Sequence, residues 1–170
     1  FLNKVIGGAY TPGSIVKPFV AYGALENHII DPNKVVYSNG TLTIPNPYNP
    51  SQPSYFNDWR AHGAMTMREA IAFSSNIYFY IIGGGLPDIA APQAGIDSAM
   101  QGLGITKMAA NYRRFGMGEK TGIPLAQEQA GVVPDPAWKE EVFHDDWRLG
   151  DTYFTAIGQF GFLATPIQML

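Results

Sequence analysis

The sequence predicts a predominantly α fold with one or two short strands. Three observations carry this. Most apolar residues fall in segments with helical spacing, closed off by Gly and Pro. A single run, Thr41-Leu42-Thr43-Ile44, alternates like a strand. Hydrophobic residues make up 46% of the 170 residues against 15% charged, enough for one packed core and inconsistent with a disordered chain.

In chain order, Tyr10-Thr11-Pro12-Gly13 is turn chemistry. Ser14 to about Asn27 reads as a helix carrying Ile15, Val16, Phe19, Val20, Tyr22 and Leu25. Pro18 supports a start there, since proline is tolerated in a first turn. Lys17, directly before that proline, is disfavoured in the α region. Residues 31–60 carry Pro32, Pro45, Pro47, Pro50 and Pro53 and read as an irregular excursion around the 41–44 strand. Its residues 45–58, with Tyr48, Tyr55, Phe56 and the adjoining Trp59, either line a groove or pack over the helices.

A second helix begins at Thr66-Met67-Arg68-Glu69, which fits a capping box. Ser74-Ser75-Asn76 breaks it. Ile77 to Ile82, with the aromatic run Tyr78-Phe79-Tyr80, continues as core until Gly83-Gly84-Gly85 ends it. Further helices are expected over 88–103, stopped at Gly104, and from a Thr106 cap to Phe115, ending at Gly116. Residues 117–152 read mostly as loop. A last helix starts just before Thr165.

A net charge of −3 without a dense basic run argues against nucleic acid as a partner. With no cysteine there are no disulfides, thiolate nucleophiles or Cys-type zinc sites. His28, His62 and His144 lack metal-ligand spacing with one another, and His144-Asp145-Asp146 reads as a solvated acidic loop. Neither a metal nor a cofactor is expected. Both termini read as cut, so the chain is taken as a piece of a longer protein.

Ser14 and Lys17 stand three apart, one turn apart on one helix face. A serine hydroxyl needs a base to take its proton, and a desolvated lysine can serve as one. Ser-x-x-Lys is common by chance, and a serine at a helix start is usually a cap. Ser74 could relay a proton and Asn76 could hold an amide, although Ser75 or Asn76 could equally be capping residues.

Together the two boxes resemble the active-site order of penicillin-binding proteins and serine β-lactamases. The flanks resemble the class B, high-molecular-weight, elongation-type penicillin-binding proteins. Tyr10-Thr11-Pro12-Gly13-Ser14-Ile15-Val16-Lys17-Pro18 is similar to their nucleophile segment, and His62-Gly63 followed by Arg68-Glu69-Ala70-Ile71 and Ser74 to Tyr80 to their second-box region. Phe115-Gly116-Met117-Gly118-Glu119-Lys120-Thr121-Gly122-Ile123, Ile157-Gly158-Gln159 and Thr165-Pro166-Ile167-Gln168-Met169 follow in the family's order. Two departures stand out: Gly158-Gln159 is followed by Phe160-Gly161, a residue inserted or a register shifted, and Ala126-Gln127-Glu128 replaces an expected Gly-Glu.

The resemblance implies a partial transpeptidase domain over 1–170. Its fold would be the helical part of an α/β serine β-lactamase/D,D-transpeptidase-like fold, with most of the central antiparallel sheet missing. It implies Ser14 as the nucleophile on peptidoglycan stem peptides, Lys17 as general base, Ser74 as proton shuttle and Asn76 as amide holder. It also implies acylation by β-lactams, a membrane-anchored parent on the periplasmic or extracytoplasmic face, and a membrane glycosyltransferase partner of the elongation machinery. The alternatives are a β-lactamase, a penicillin-sensor domain, or an inactive piece acting as scaffold. Lys120-Thr121-Gly122 looks like the third, substrate-clamping box. Its Gly and Pro surroundings read as loop, and the family's own third box is expected beyond Leu170, which would leave these 170 residues inactive alone.

Overall fold

The structure is a computed structural model describing residues 3–46, 49 and 51–170. Seven α-helices and four short strands follow one another, among the described residues, as α1 (Lys4–Gly7), α2 (Lys17–Glu26), β1 (Val36–Ser38), β2 (Thr41–Ile44), β3 (Ser54–Asn57), β4 (Gly63–Met65), α3 (Met67–Ala72), α4 (Asn76–Gly84), α5 (Ile105–Arg114), α6 (Pro136–Phe143) and α7 (Leu149–Ala156). Short 3₁₀ turns occupy Gly13–Val16, Asp88–Ala94 and Pro166–Met169. The predominantly helical expectation holds, but the one or two short strands expected are four among the described residues.

The core is built around α4. Ile77, Tyr78, Phe79, Tyr80, Ile81 and Ile82 are all at most 2% exposed. A helix apolar on every face must be enclosed by its neighbours, and α2, α5, α7 and the strands surround this one. Gly83 and Gly84 belong to α4 rather than ending it, because α7 lies too close for side chains. A Cβ on Gly83 would sit 2.6 Å from Ala156, and one on Gly84 would sit 2.5 Å from the Tyr153 ring. The helix ends at Gly85, with φ 86°. Tyr153 donates its hydroxyl to the Gly85 carbonyl at 2.8 Å, so a buried phenol satisfies the helix end.

Residues 31–60 are more ordered than their composition suggests. β1 pairs antiparallel with β4 (Val36 with Met65), and β2 with β3 (Thr41 with Asn57). The two pairs nest as one long ribbon interrupted at 39–40 and 58–62, where Asp58 N–H reaches the Gly40 carbonyl at 2.9 Å and His62 N–H the Ser38 carbonyl at 3.1 Å. Such pairing over sequence distance leaves little local trace, because the strands are only three or four residues long. Phe56 points inward and packs edge-on against Tyr153 at 4.8 Å, while Tyr55 and Trp59 stay exposed. Tyr48 lies outside the described residues.

Four other expectations are corrected, the last being the helix before Thr165. The span 88–103 is a 3₁₀ turn over Asp88–Ala94, not an α-helix: Pro92, inside it, has no N–H for an α-helical bond, and Gly95 closes it in the left-handed region. The helix placed at a Thr106 cap starts earlier, at Ile105, with Gly104 as its cap. Residues 117–152 hold α6 and the start of α7. Asp135 caps α6 by accepting from Trp138 N–H, with Pro136 in the first turn. Before Thr165, Leu163 bridges to Val132 and Ala164 to Tyr10. Thr165 then opens a 3₁₀ turn, and Gln168 reaches back to the Glu119 and Ala130 carbonyls at 2.7 and 2.8 Å. Among the described residues no helix is long and apolar enough to cross a membrane.

Candidate active site

Ser14 lies in the 3₁₀ turn Gly13–Val16, and Lys17 begins α2. Lys17 N–H donates to the Ser14 carbonyl. In a 3₁₀ turn residues three apart eclipse, so Ser14 and Lys17 share one face. The tension over Lys17 before a proline resolves here: it adopts φ −55°, ψ −39°, with Pro18 in the first turn of α2. The turn is clamped on both sides. Tyr10 exchanges two backbone hydrogen bonds with Ala164 at 2.9 Å each, and Gly13 N–H donates to the Gly158 carbonyl at 3.0 Å. A Cβ on Gly158 would lie 2.2 Å from the Gly13 carbonyl oxygen, so only glycine permits this approach. Ser14 is exposed; Lys17 is 2% exposed.

From inside, Lys17 reaches the second box. Its Nζ donates to the Ser74 carbonyl at 2.7 Å, the Ser74 hydroxyl at 3.0 Å and Asn76 Oδ1 at 2.9 Å. Burial lowers its pKa to about 8, opposed by the attraction of Asp58. Lys17, Ser74 and Asn76 are therefore joined directly. Among the described residues no hydrogen bond joins the Ser14 hydroxyl to any of them; it sits one turn away, facing solvent.

The break between α3 and α4 is what presents Ser74 and Asn76. Ser74 takes φ 56°, a sparsely populated region for a residue with a side chain. Ser75 caps α4, its hydroxyl accepting from Tyr78 N–H at 3.3 Å. Before the break, the Glu69 carboxylate accepts from Thr66 N–H at 2.8 Å and from its hydroxyl at 2.9 Å, as the capping pattern suggested.

Asp58 was not singled out by sequence reasoning. Its side chain is fully buried. It accepts from the Ser75 hydroxyl at 2.7 Å and from the N–H groups of Asn76, Trp59 and Ile77 at 2.9, 2.9 and 3.1 Å. Burial pushes its pKa up, but these hydrogen bonds outweigh burial and hold it below the ordinary carboxylate range. His62 Nε2 faces it at 3.5 Å without a hydrogen-bond partner among the described residues. The only trace in the sequence was a carboxylate inside a stretch rich in Pro and Asn.

Lys120-Thr121-Gly122 lies in a loop, as expected, and is tied down there. The Glu128 carboxylate accepts from Thr121 N–H at 2.6 Å, the Thr121 hydroxyl at 2.5 Å and Gly122 N–H at 3.3 Å. The departure at 126–128 thus supplies the group that folds this turn. Phe160, the other departure, adopts φ 58° and lies over Lys139, its ring 5.6 Å from Nζ.

His144-Asp145-Asp146 is not simply solvated. Lys139, 4% exposed, reaches Asp151 at 2.8 Å, Asp145 at 2.9 Å and the Asp146 carbonyl at 2.5 Å. His144 ends α6 in the left-handed region. Among the described residues no group of three or more His, Asp or Glu is placed to hold a metal. A cavity of about 640 Å³ opens beside β2 and β3, lined among others by Ile44, Phe56, Ile89 and Leu149, but by none of the boxed residues.

Comparison with known proteins adds family and fold. Residues 1–170 match the family described as the penicillin binding protein transpeptidase domain. The chain is 35% identical over 169 residues to the peptidoglycan D,D-transpeptidase MrdA of Acinetobacter baumannii, covering 98% of this chain and 22% of that protein. It superposes on the Helicobacter pylori penicillin-binding protein PBP2, solved with MreC, at a TM-score of 0.81 and 36% identity, covering 99% of this chain and 28% of the other. For Pseudomonas aeruginosa PBP2, solved with WCK 5153, the TM-score is 0.78 and the identity 30%, covering 99% and 34%. The chain thus spans less than a quarter of the length of that Acinetobacter relative.

Proposed function

We propose, from the premise that this chain belongs to the penicillin-binding protein transpeptidase domain family, that it carries the nucleophile and base of a peptidoglycan D,D-transpeptidase. One observation supports this reading above the rest. A buried lysine with its pKa lowered to about 8 is hydrogen-bonded to Ser74 and Asn76, one 3₁₀ turn from an exposed serine.

In this reading the Ser14 hydroxyl oxygen attacks the carbonyl carbon of the D-Ala-D-Ala amide in a stem peptide. Its proton passes to the neutral Lys17 amine. The amide C–N bond breaks, and the departing amine takes a proton relayed through the Ser74 hydroxyl from Lys17. Ser74 suits the relay because a hydroxyl both accepts and donates. Asn76 spends Oδ1 on Lys17 and turns its amide N–H to the Asn57 carbonyl at 3.4 Å, a long bond that a substrate carbonyl can replace. The amine of a second stem peptide then attacks the Ser14 ester, forms the cross-linking amide and restores the serine hydroxyl. β-Lactams acylate Ser14 as mimics of the first substrate.

The Helicobacter relative was solved with MreC, which supports an MreC-type partner for this protein; the family resemblance extends the proposal to a site outside the cytoplasm, a membrane anchor and a membrane glycosyltransferase partner. Lys120-Thr121-Gly122 does not act as the substrate-clamping box, because its threonine is committed to Glu128.

The test is incubation of the protein at full natural length with a fluorescent penicillin, followed by digestion. A label on the peptide containing Ser14 that persists for many minutes is expected. Rapid release would make it a β-lactamase, and no label on folded protein would overturn the acyl-transfer reading.

A further inference from the structure

The second box does not hold its own shape. Ser74 is in the left-handed region, and the chain must turn sharply between two helices to present both its carbonyl and its hydroxyl to Lys17. The groups that fix this turn come from a distant segment. Asp58 lies at the interruption of the β1–β4 and β2–β3 ribbon, pinned there by its own N–H to the Gly40 carbonyl at 2.9 Å. From that position its carboxylate takes the Ser75 hydroxyl and the Asn76 and Ile77 N–H groups together. These are the residue after Ser74, the second residue of the box, and the one that follows. An anion against the first N–H groups of α4 also meets the positive end of that helix.

We propose that Asp58 is a positioning residue for acyl transfer: its buried carboxylate sets the Ser74-Ser75-Asn76 turn and thereby the three acceptors that hold Lys17. The inference rests on the acyl-transfer reading above. Asp58 touches no reacting atom; it acts through Ser75 and Asn76. Hydrogen bonds to a charged acceptor are roughly twice as strong as neutral ones, so a carboxylate here orders the turn better than an amide could. Its charge reaches Lys17 as well, favouring the protonated lysine against the larger effect of burial. Among the described residues three titratable groups face this carboxylate: Lys17 from α2, His62 from the residue before β4 and Tyr80 from α4.

Asp58→Asn keeps the size, removes the charge and turns two donors toward groups that are themselves donors. In the protein at full natural length, acylation of Ser14 by a fluorescent penicillin is expected to slow by about 30-fold per folded molecule. The pH at which the rate is half-maximal is expected to move lower, because Lys17 loses the anion that favours its proton. Asp58→Glu, which keeps the charge at a shifted position, should restore the midpoint and part of the rate. Ser75→Ala removes one donor and leaves the carboxylate. It should slow acylation about threefold with an unmoved midpoint, and it serves as the reading should Asp58→Asn fail to fold. A merely structural role would lower the folded fraction and leave both the rate per folded molecule and the midpoint unchanged; that result overturns the assignment. Labelled wild type with an unaltered Asp58→Asn, or with an unaltered Ser75→Ala where Asp58→Asn does not fold, overturns Asp58 alone. Unlabelled wild type overturns Asp58 together with the acyl-transfer reading.

Discussion

Two lysines lie equally deep in this molecule and are held in opposite ways. Lys17 and Lys139 are 2% and 4% exposed. Every hydrogen-bond partner of Lys17 is neutral: a carbonyl, a hydroxyl and an amide oxygen. Lys139 is held by two carboxylates and a carbonyl. Burial pushes both ammonium groups toward losing the proton. For Lys17 burial wins, and its pKa falls to about 8. For Lys139 the hydrogen bonds and charges of Asp151 and Asp145 outweigh burial and leave it above its ordinary value. Burial alone therefore does not make a base. The base proposed at Lys17 needs its anion, Asp58, held behind Asn76 rather than on the amine itself.

The same substitution at the two sites should give opposite results, and this breaks the comparison most sharply. Lys17→Met should slow Ser14 acylation by about 10³-fold, the scale of a lost general base. It should also raise stability at pH 7. A folded-state pKa near 8 against about 10.5 unfolded means the folded protein carries a disfavoured charge, a penalty on the order of 3 kcal/mol. Part of that is offset by the three acceptors left to water, so a net gain of about 1–2 kcal/mol is expected in denaturant melts. A loss of stability would show that Lys17 is a cross-link like Lys139. Lys139→Met should cost about 3 kcal/mol, because two carboxylates lose their buried partner, and should leave acylation per folded molecule unchanged. An acylation defect there would tie α6 and α7 to the chemistry.

Titration sharpens the contrast. Acylation should rise about tenfold from pH 7 to a plateau above pH 9, half-maximal near pH 8, as Lys17 loses its proton. Stability should also gain from Lys17 between about pH 8 and 10.5, where the unfolded chain holds the proton and the folded one does not. Lys139 behaves oppositely. Its raised pKa gives stability that is present below about pH 10.5 and lost as pH rises through the folded value. At the acid end Asp145, held down to about 2 first by Arg148 and then by Lys139, loses its contribution as pH falls from about 4 through 2. A flat acylation profile from pH 6 to 9 would remove Lys17 from the role of base.

The difference between these two sites also explains what sequence could reveal. Lys17 stands in a short pattern with Ser14, and Ser74 with Asn76, because each pair lies within one turn of chain. The Thr66 and Glu69 cap and the all-apolar α4 were legible for the same local reason. Asp58 was not, because it acts on residues 17 to 19 positions away through a ribbon of three- and four-residue strands. His144-Asp145-Asp146 reads as solvated acid in sequence, since nothing local announces that Lys139 on α6 turns back under the loop after it. Helix α6 hides in the sequence because Pro136, which reads as a breaker, is its first-turn residue behind the Asp135 cap.

Phe160 offers the smallest and most specific test. It follows Gly158-Gln159 and holds φ 58°, a conformation that costs a non-glycine residue on the order of 1 kcal/mol or more. Something must offset that cost. Its ring lies 5.4 Å from Trp147 and 6.1 Å from Trp138, both edge-on, and 5.6 Å from Lys139 Nζ. Aromatic pairs and a partly desolvated cation each contribute about 0.5–1.5 kcal/mol. Phe160→Ala keeps the backbone strain and removes all three contacts, so it should lower stability by about 1–2 kcal/mol and leave Ser14 acylation unchanged. In the Lys139→Met background the cation contact is already gone. The loss on Phe160→Ala should therefore shrink by about 0.5–1 kcal/mol, read as the coupling in a double-mutant cycle. Zero coupling would mean that Phe160 packs on the tryptophans alone. Phe160 would then serve the packing of Trp138 and Trp147 rather than the buried lysine.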